Sequence, residues 1–443
     1  MRCLILGAGV SGRAVADLLA EQKIDFEFAK SDDLKKIDFE KEYLDRLFSG
    51  LSFIVSSPGI SQEIRLIKEA KKRKIKVIGE FEYSATKLKS DIIAVTGTNG
   101  KTTTVSLINF LLKDSEKQVF LGGNIGIPVS SFALKNSIND IAVLECSSFQ
   151  LETVKNFKPH ISAILNITPD HLNRHKSMRR YIECKYKIFK NQTAEDYLLI
   201  NADDELLMSM PQKTKAQIFY FSTKKTVKGC YVKRNCIYFN DNIKEIKLAS
   251  LKGIKLVGEH NISNILCAVL AIFLQTGNKK LIENINLFNG VSHRIEFVKK
   301  IAGIEFYNDS KATNIDSTIV ACKSFKNNIG LILGGSDKGY CFDELFEKLP
   351  KSVKNIAIFG ETKHKIAISA EKFQFKNYYL CENLENATRL LYQKSLTGDI
   401  VLLSPACASF DFFSNYEERG NFFKKIVKEI EIDETSFAST KKI

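Results

Sequence analysis

The stretch DIIAVTGTNGKTTT at 91–104 constrains the architecture of this chain more than any other. An apolar run of strand length, DIIAV, passes directly into a glycine turn and then into TTT. A strand that feeds a turn and a helix must bury its faces against neighbouring strands and helices, so the unit predicts an α/β layer fold with a parallel sheet. Gly97 and Gly100 bracket only Thr98 and Asn99, whereas the common phosphate loop G-x-x-x-x-G-K-[ST] has four residues between its glycines. The short loop still has the chemistry of a phosphate cradle. Successive backbone N–H groups would face an anion, Lys101 would reach the outer phosphates, and Thr102, followed by Thr103, would offer a hydroxyl to Mg²⁺. The competing reading is an ordinary Gly-rich turn between strand and helix, and the rest of the chain decides between the two.

The chain has 443 residues, too long for one hydrophobic core. No apolar run approaches the ~18 residues needed to span a bilayer. The N-terminal CLILGAGVSG ends in glycines without a small-residue cleavage pattern, so it reads as a strand and not as a signal peptide. Ten cysteines are scattered with no C-x-x-C pair and no zinc-like spacing, which predicts reduced thiols and a cytoplasmic protein. The formal charge of +14 comes from 65 Lys+Arg against 51 Asp+Glu. The basic residues are spread without interleaved aromatics, so phosphorylated small ligands are expected in preference to nucleic acid. No membrane or nucleic-acid partner is expected, and the chain is expected to be a monomer.

Strand and helix patterns alternate in three blocks, giving an expected organisation of 1–90, 91–290 and 291–443. Each block should carry a largely parallel sheet: Rossmann-like at the N-terminus, P-loop ATPase-like in the centre, and Rossmann-like again at the C-terminus. In the first block Gly7, Gly9 and Gly12 satisfy G-x-G-x-x-G between a strand and a helix. Strands are also expected in LSFIVSSPGI (51–60) and IKVIGEFEYS (75–84). A dinucleotide site would end its second strand on an acid, but Lys30 and Ser31 stand there and Asp32 and Asp33 come late. The central block has strand-like segments at 141–145, 161–167 and 197–201. The third has them at 304–308, 329–334, 355–359 and 399–404, with loops NDSKATN, GGSDKG, GET and SPACASFD at strand ends, where open α/β sheets bind ligands.

Several residues accompany the loop. Glu145 ends a strand in IAVLECSSFQLE, where an acid can hold Mg²⁺ directly or through water. Asp170 and His171 follow another strand in TPDHLNRH. In SMRRYIECKYKIFKN, the residues Met178, Tyr181, Lys185 and Ile188 fall on one helical stripe, so Lys185 interrupts an apolar face. Such a lysine either snorkels to water or is buried, and a buried lysine gives up its proton readily.

Taken in order, GTNGKTT, ECSSFQLE, TPDHLNRH, YIECKYKIF, GEHNISN, SHRIE, NDSKATN, LILGGSDKG and LSPACASFDFF resemble the Mur ligases of peptidoglycan synthesis over nearly the whole chain. The loop alone is shared with folylpolyglutamate synthases. SSFQLE and SPACASFD are closest to the member that adds D-glutamate. The resemblance implies an ATP-dependent amide ligase that joins D-glutamate to UDP-N-acetylmuramoyl-L-alanine through an acyl phosphate. It implies ATP, two Mg²⁺ ions and a CO₂-derived carbamate on Lys185. By the same resemblance Thr102 and Glu145 would hold one metal, and His171 with carbamylated Lys185 the other, with Lys101 completing the catalytic set. Gly97 to Thr103 together with Asn264, Arg294 and Asp309 would contact ATP. Asn124, Ser147 and Gln150 would meet the UDP-substrate, and more thinly Ser11 and Ser31, where the sequence departs from the acidic-Thr-Arg pattern of the uracil site. Thr313, Lys338, Ser409 and Tyr416 would hold the amino acid, Tyr416 standing where Phe is familiar in the family. Ser409 also suits the cap of a helix expected to start near Asp411.

Within the ligase class the alternative is another Mur ligase or a folylpolyglutamate synthase-like ligase, and two readings from other classes compete. A nicotinamide oxidoreductase built on GAGVSG leaves the 96–104 loop, Glu145 and the third block unexplained. A P-loop switch would hydrolyse ATP without amino acid or UDP-sugar, whereas a ligase needs both.

Overall fold

The computed structural model describes residues 1–36, 38–209, 213–339 and 341–440. The chain forms two compact units, one of Met1–Ile254 with Ile262–Phe288, the other of Lys255–Asn261 with the chain from Asn289 onward. The fold is α/β, with three parallel-rich sheets.

Two of the sheets belong to the first unit. The smaller has β1 (Arg2–Leu6), β2 (Asp25–Phe28), β3 (Phe53–Ser56) and β4 (Lys76–Gly79) in the order β2-β1-β3-β4, all parallel. The order reverses at β1/β3, so their C-terminal ends open a crevice. The glycine turn after β1 lies there, and the Ser57 hydroxyl donates to the Gly7 carbonyl at 3.3 Å. A side chain at Gly12 would collide with that same carbonyl, whereas Gly9 has open space around its Cα. EFEYSA, expected to continue a strand, is instead the helix Glu80–Ala85. Its carboxylates explain this: Glu82 accepts from the N–H groups of Asn156 and Phe157, and Glu80 from the Ser130 hydroxyl.

The larger sheet has β5 (Asp91–Thr96), β6 (Val119–Gly123), β7 (Ile141–Glu145), β8 (Ile161–Ile164), β9 (Tyr197–Asn201), β10 (Gln217–Ser222), β11 (Gly229–Lys233), β12 (Cys236–Asn240) and β13 (Glu245–Ser250). Its order is β13-β12-β11-β10-β9-β8-β5-β7-β6, parallel except where β12 pairs with β11 and β13. β5, β7 and β8 are buried on both faces, which is why they read as unbroken apolar runs. Each fully buried Val, Leu or Ile contributes roughly 1.5–3 kcal/mol to the stability of the strands from which the loops depart.

The second unit carries β14 (Glu296–Ile301), β15 (Ile304–Asn308), β16 (Ile329–Gly334), β17 (Val353–Phe359), β18 (Tyr378–Leu380) and β19 (Ile400–Leu403), ordered β14-β15-β19-β16-β17-β18. Only β14 runs antiparallel to its neighbour. The long helix of this unit, Tyr416–Thr440, starts later than the sequence suggested. Residues 410–412 form a turn, with the Phe413 N–H on the Ser409 carbonyl at 2.9 Å, so Ser409 caps no helix near Asp411.

Candidate active site

The phosphate-loop segment leaves β5 between β7 and β8, the position where the sheet order reverses. Gly100 (φ 85°) takes up the left-handed conformation just before the helix Lys101–Leu112, and a Cβ there would lie 2.2 Å from the Asn264 side-chain oxygen. Glycine is therefore required by both backbone and space. The loop is clamped from the segment after β8. Asn166 receives the Asn99 N–H (2.8 Å) and donates to the Asn99 carbonyl (3.0 Å). The Thr98 hydroxyl joins the Thr168 backbone and the Tyr181 hydroxyl.

At the end of β7, Glu145 is buried, and both of its oxygens are engaged. The Thr102 hydroxyl donates to one oxygen at 2.8 Å, and the Asn124 amide to the other at 2.8 Å. Parallel pairing sets this geometry, since Glu145 lies in register with Val95 on β5 and with Gly123 on β6. Thr103, one residue further along the helix, is buried in its first turn.

Lys101 and Lys185 converge on one carbonyl. Lys101 Nζ donates to the Gly97 and Thr98 carbonyls, each at 2.8 Å, and Lys185 Nζ donates to Gly97 at 2.7 Å. Lys185 is 1 % exposed on the helix Met178–Tyr186, so it does not snorkel. Burial, then the Lys101 cation, hold its amine well below the ordinary lysine range, while Asp170 acts in the opposite direction. His171 is exposed and lies in the left-handed region (φ 52°), a strained conformation for a non-glycine residue. Asp170 fixes its backbone N–H at 2.9 Å, and its ring packs on Phe149 with centroids 4.8 Å apart.

Ser147 and Gln150 form a reciprocal capping box on the helix Ser148–Glu152, a structural duty alongside any ligand role. Gln150 also lines a narrow crevice with Ser57, Gly79, Glu80 and Arg174. Ser11 is half-buried in the first turn after the glycine turn, while Ser31 is exposed beyond β2; no bond joins them to the residues around Glu145 among those described. Asp33 is buried on the Tyr43 hydroxyl and Lys36.

Residues 95–272 match the Mur ligase middle domain and residues 293–407 the Mur ligase glutamate ligase domain. A UDP-N-acetylmuramoylalanine--D-glutamate ligase of Caldanaerobacter subterraneus is 41% identical, with 97% of this chain and 98% of that protein covered. The chain belongs to the Mur ligase family. The Koribacter versatilis protein of the same description is 39% identical over 97% of each chain. Among solved structures, UDP-N-acetylmuramate-alanine ligase MurC from Thermotoga maritima aligns with a TM-score of 0.60 at 20% identity, covering 97% of this chain and 99% of the other. MurF ligase from the same organism, in complex with ADP, gives 0.57 at 18% identity over 88% and 92%. Both share its fold.

In the second unit of this Mur ligase, Asp309 follows β15, is buried, and accepts from the Ser404 hydroxyl (2.8 Å) and the Ile295 N–H (3.2 Å). Burial pushes its carboxyl up to about 7, against the pull of the Ser404 bond and of Arg294. Lys338 reaches the Thr313 carbonyl at 3.2 Å, so these two expected amino-acid residues meet. Tyr416 is half-buried at the start of its helix, its ring edge-on to His293 at 6.1 Å and under the Lys311 ammonium at 5.1 Å. Ser409 is buried on the loop after β19.

Sequence reasoning missed the clamp residues Asn166 and Thr168, Arg174 and His175. Arg174 donates to the Ile60 carbonyl (3.0 Å) and to Glu152 (2.7 Å), tying the loop after β3 to the helix beneath the site. His175 is buried against the Ser148 hydroxyl at 2.9 Å. Both stand in TPDHLNRH, where His171 drew attention first; their bonds to distant segments leave no mark in the sequence.

Proposed function

We propose that this chain is the ATP-dependent ligase that adds D-glutamate to UDP-N-acetylmuramoyl-L-alanine in peptidoglycan precursor synthesis. The observation that carries the reading is the meeting of Lys101 and Lys185 on the Gly97 carbonyl beside the Thr102–Glu145–Asn124 cluster. Relatives described as D-glutamate ligases match along the whole chain and support the substrate pair.

The work divides between 1–90 for the UDP-substrate, 91–290 for ATP and 291–443 for the amino acid. The substrate carboxylate attacks the γ-phosphorus in line, ADP leaves, and the acyl phosphate is then attacked by the amine of D-glutamate, releasing phosphate and forming the amide. Lys101, at the inner curve of the loop, neutralises charge that develops on the transferring phosphoryl group. Asn99 and Thr98, held from Asn166 and Thr168, keep the backbone donors of residues 97–103 aimed at the phosphates. Asn264 packs on Gly100 and holds the nucleotide end of the loop, and Arg294 and Asp309 contribute nucleotide contacts. Asn124, Ser147 and Gln150, with Ser11 and Ser31 further out, orient the UDP-substrate. Thr313, Lys338, Ser409 and Tyr416 orient the amino acid.

Mur ligases use ATP and Mg²⁺, and the residues fit the ion: Thr102, in the first turn of the helix after the loop, and Glu145, at the end of β7, present hard oxygen atoms side by side. Mg²⁺ bound there would offset phosphate charge. The second position is assigned to His171 and Lys185. The buried, readily neutral Lys185 amine would bond to the carbon of CO₂, one C=O electron pair passing to oxygen and the amine proton passing to solvent base. The product is a carbamate, an oxygen donor where a lysine alone would repel a cation.

Among the described residues no helix is long and apolar enough to cross a membrane. All ten cysteines are free thiols, which supports a reducing, cytoplasmic setting. The test is phosphate release with ATP and UDP-N-acetylmuramoyl-L-alanine against D-glutamate, L-glutamate, meso-diaminopimelate, L-lysine and L-alanine in turn. D-glutamate should give the fastest release; faster release with any other, or equal ATP turnover without amino acid, overturns the reading.

A further inference from the structure

Among the described residues Arg419 heads the fully buried side chains by size, with 0% exposure, yet its sequence surroundings (EERGN) are polar. It rises from the first turn of the helix Tyr416–Thr440 and is spent on two distant loops. Nε donates to the Ser310 hydroxyl at 3.0 Å and one terminal nitrogen to the Ser310 and Cys407 carbonyls at 2.8 and 3.1 Å. The other terminal nitrogen donates to the Ala408 carbonyl at 3.0 Å. The Ser310 hydroxyl in turn donates to the Tyr416 carbonyl at 2.8 Å, closing a ring back to the helix. A third loop is packed on the same group: a Cβ at Gly335 would come within 3.0 Å of the guanidinium and 2.1 Å of the Ala408 carbonyl.

These loops are NDSKATN, SPACASFD and GGSDKG, which carry Thr313, Ser409 and Lys338. Every acceptor on Arg419 is a neutral oxygen. The carboxylates of Asp309 and Asp411 act on it only at longer range. A guanidinium offers five donors in a fixed fork, so it fixes the angles between the loops as well as their spacing; an ammonium cannot. Trans peptide geometry adds a consequence. With the Ala408 carbonyl turned to Arg419, the Ser409 N–H of the same peptide points the opposite way.

We propose that Arg419 is a positioning residue for the amino-acid substrate: it sets the relative placement of Thr313, Lys338 and Ser409 without touching the ligand. The inference rests on the third-block loops being the amino-acid site. Arg419→Lys is the first test, with KM measured separately for D-glutamate, ATP and the UDP-substrate. The expected result is a tenfold or greater rise in KM for the amino acid, with the other two KM values within twofold. Ser310→Ala, which removes one acceptor and the link to Tyr416 while leaving the guanidinium in place, should raise the same KM about threefold and keep the melting temperature. If Arg419→Lys does not fold, Ser310→Ala decides. An unchanged amino-acid KM in a folded variant, or equal rises in all three, overturns the proposal. Failure of wild-type enzyme to use D-glutamate refutes the substrate assignment instead; the same comparison then runs with whichever amino acid it does use.

Discussion

Lys185 and Arg419 are both buried cations, one in each unit, and the structure treats them in opposite ways. Lys185 has one good acceptor, the Gly97 carbonyl, with Thr96 at 3.5 Å, and shares that carbonyl with a second ammonium. Burial and the Lys101 charge therefore push it toward the neutral amine. Arg419 has four hydrogen bonds to oxygen, and the same burial lowers its pKa only to about 10. It stays charged near neutral pH. Burial alone thus does not set the fate of a charge: a guanidinium starts from a higher ordinary value than an ammonium, and the neighbouring charge lowers the lysine further while it raises the arginine. The lysine is left ready to lose its proton, the arginine a charged group tied by four bonds.

The largest effect expected is from Lys101→Ala. In the proposed mechanism it removes the cation that faces the phosphoryl group, so turnover should fall by about 10²–10³-fold in a folded protein. It also removes the second cause of the Lys185 shift, so Lys185 should hold its proton to higher pH and any carbamate should require a more alkaline buffer. Near-wild-type ligation would refute the phosphate-cradle role, and an unmoved Lys185 titration would refute the coupling between the two ammoniums. Next comes Lys185→Ala, expected to lose about a hundredfold in turnover on the same electrostatic grounds. Under the proposed carbamate, acetate should restore part of it by replacing the lost oxygen donor. Full activity in the variant, or a density map showing plain lysine in a fully active enzyme supplied with CO₂, would count against the carbamate.

How much of this was legible in the sequence follows from how local each feature is. The loop and Glu145 were readable because strand ends and glycine turns are local signals, and parallel pairing does the rest. The place of Lys185 on an apolar stripe with Tyr181 and Ile188 was readable within one short segment, but its burial was not, because a snorkelling lysine leaves the same pattern. Arg419 was not, since its partners lie 109 residues away at Ser310 and 12 away at Cys407, and its neighbours Glu417, Glu418 and Gly420 suggest an exposed helix start. EFEYS misled for a related reason: alternating Phe and Glu suggests a strand, but both acids are buried on groups from the central block.

Buried carboxylates extend the comparison to the opposite sign. Glu80 is pushed up to about 7 by burial, which outweighs the bonds from Ser130 and Ser84. An unfolded glutamate titrates near 4.3, roughly, so the folded state binds more protons between that pH and about 7. Its contribution to stability is therefore complete below the unfolded value and is lost as pH rises through the folded one. Glu80→Gln keeps an acceptor for Ser130 and should remove this slope, leaving the variant on the order of 1–3 kcal/mol more stable than wild type at pH 8. Urea midpoints at pH 4.5, 6 and 8 measure it. A wild-type midpoint that is flat across the three would show that Glu80 titrates normally.

The smallest effect concerns Tyr416, which lies beside the structure that Arg419 holds. Its carbonyl receives the Ser310 hydroxyl, and its ring meets Lys311 on one side and His293 on the other. The backbone bond survives any side-chain change, and a ring without the hydroxyl keeps its quadrupole for the Lys311 contact, worth about 0.5–1 kcal/mol at such a site. Tyr416→Phe should therefore change the D-glutamate KM by less than about twofold, and Tyr416→Ala by up to about fivefold, the latter being that contact energy expressed as a ratio. This ordering separates the ring from the hydroxyl. If Tyr416→Phe is as damaging as Tyr416→Ala, the hydroxyl is the working group and packing over the substrate is not. If neither variant moves the KM while Ser310→Ala does, the helix start serves only as the base on which Arg419 stands.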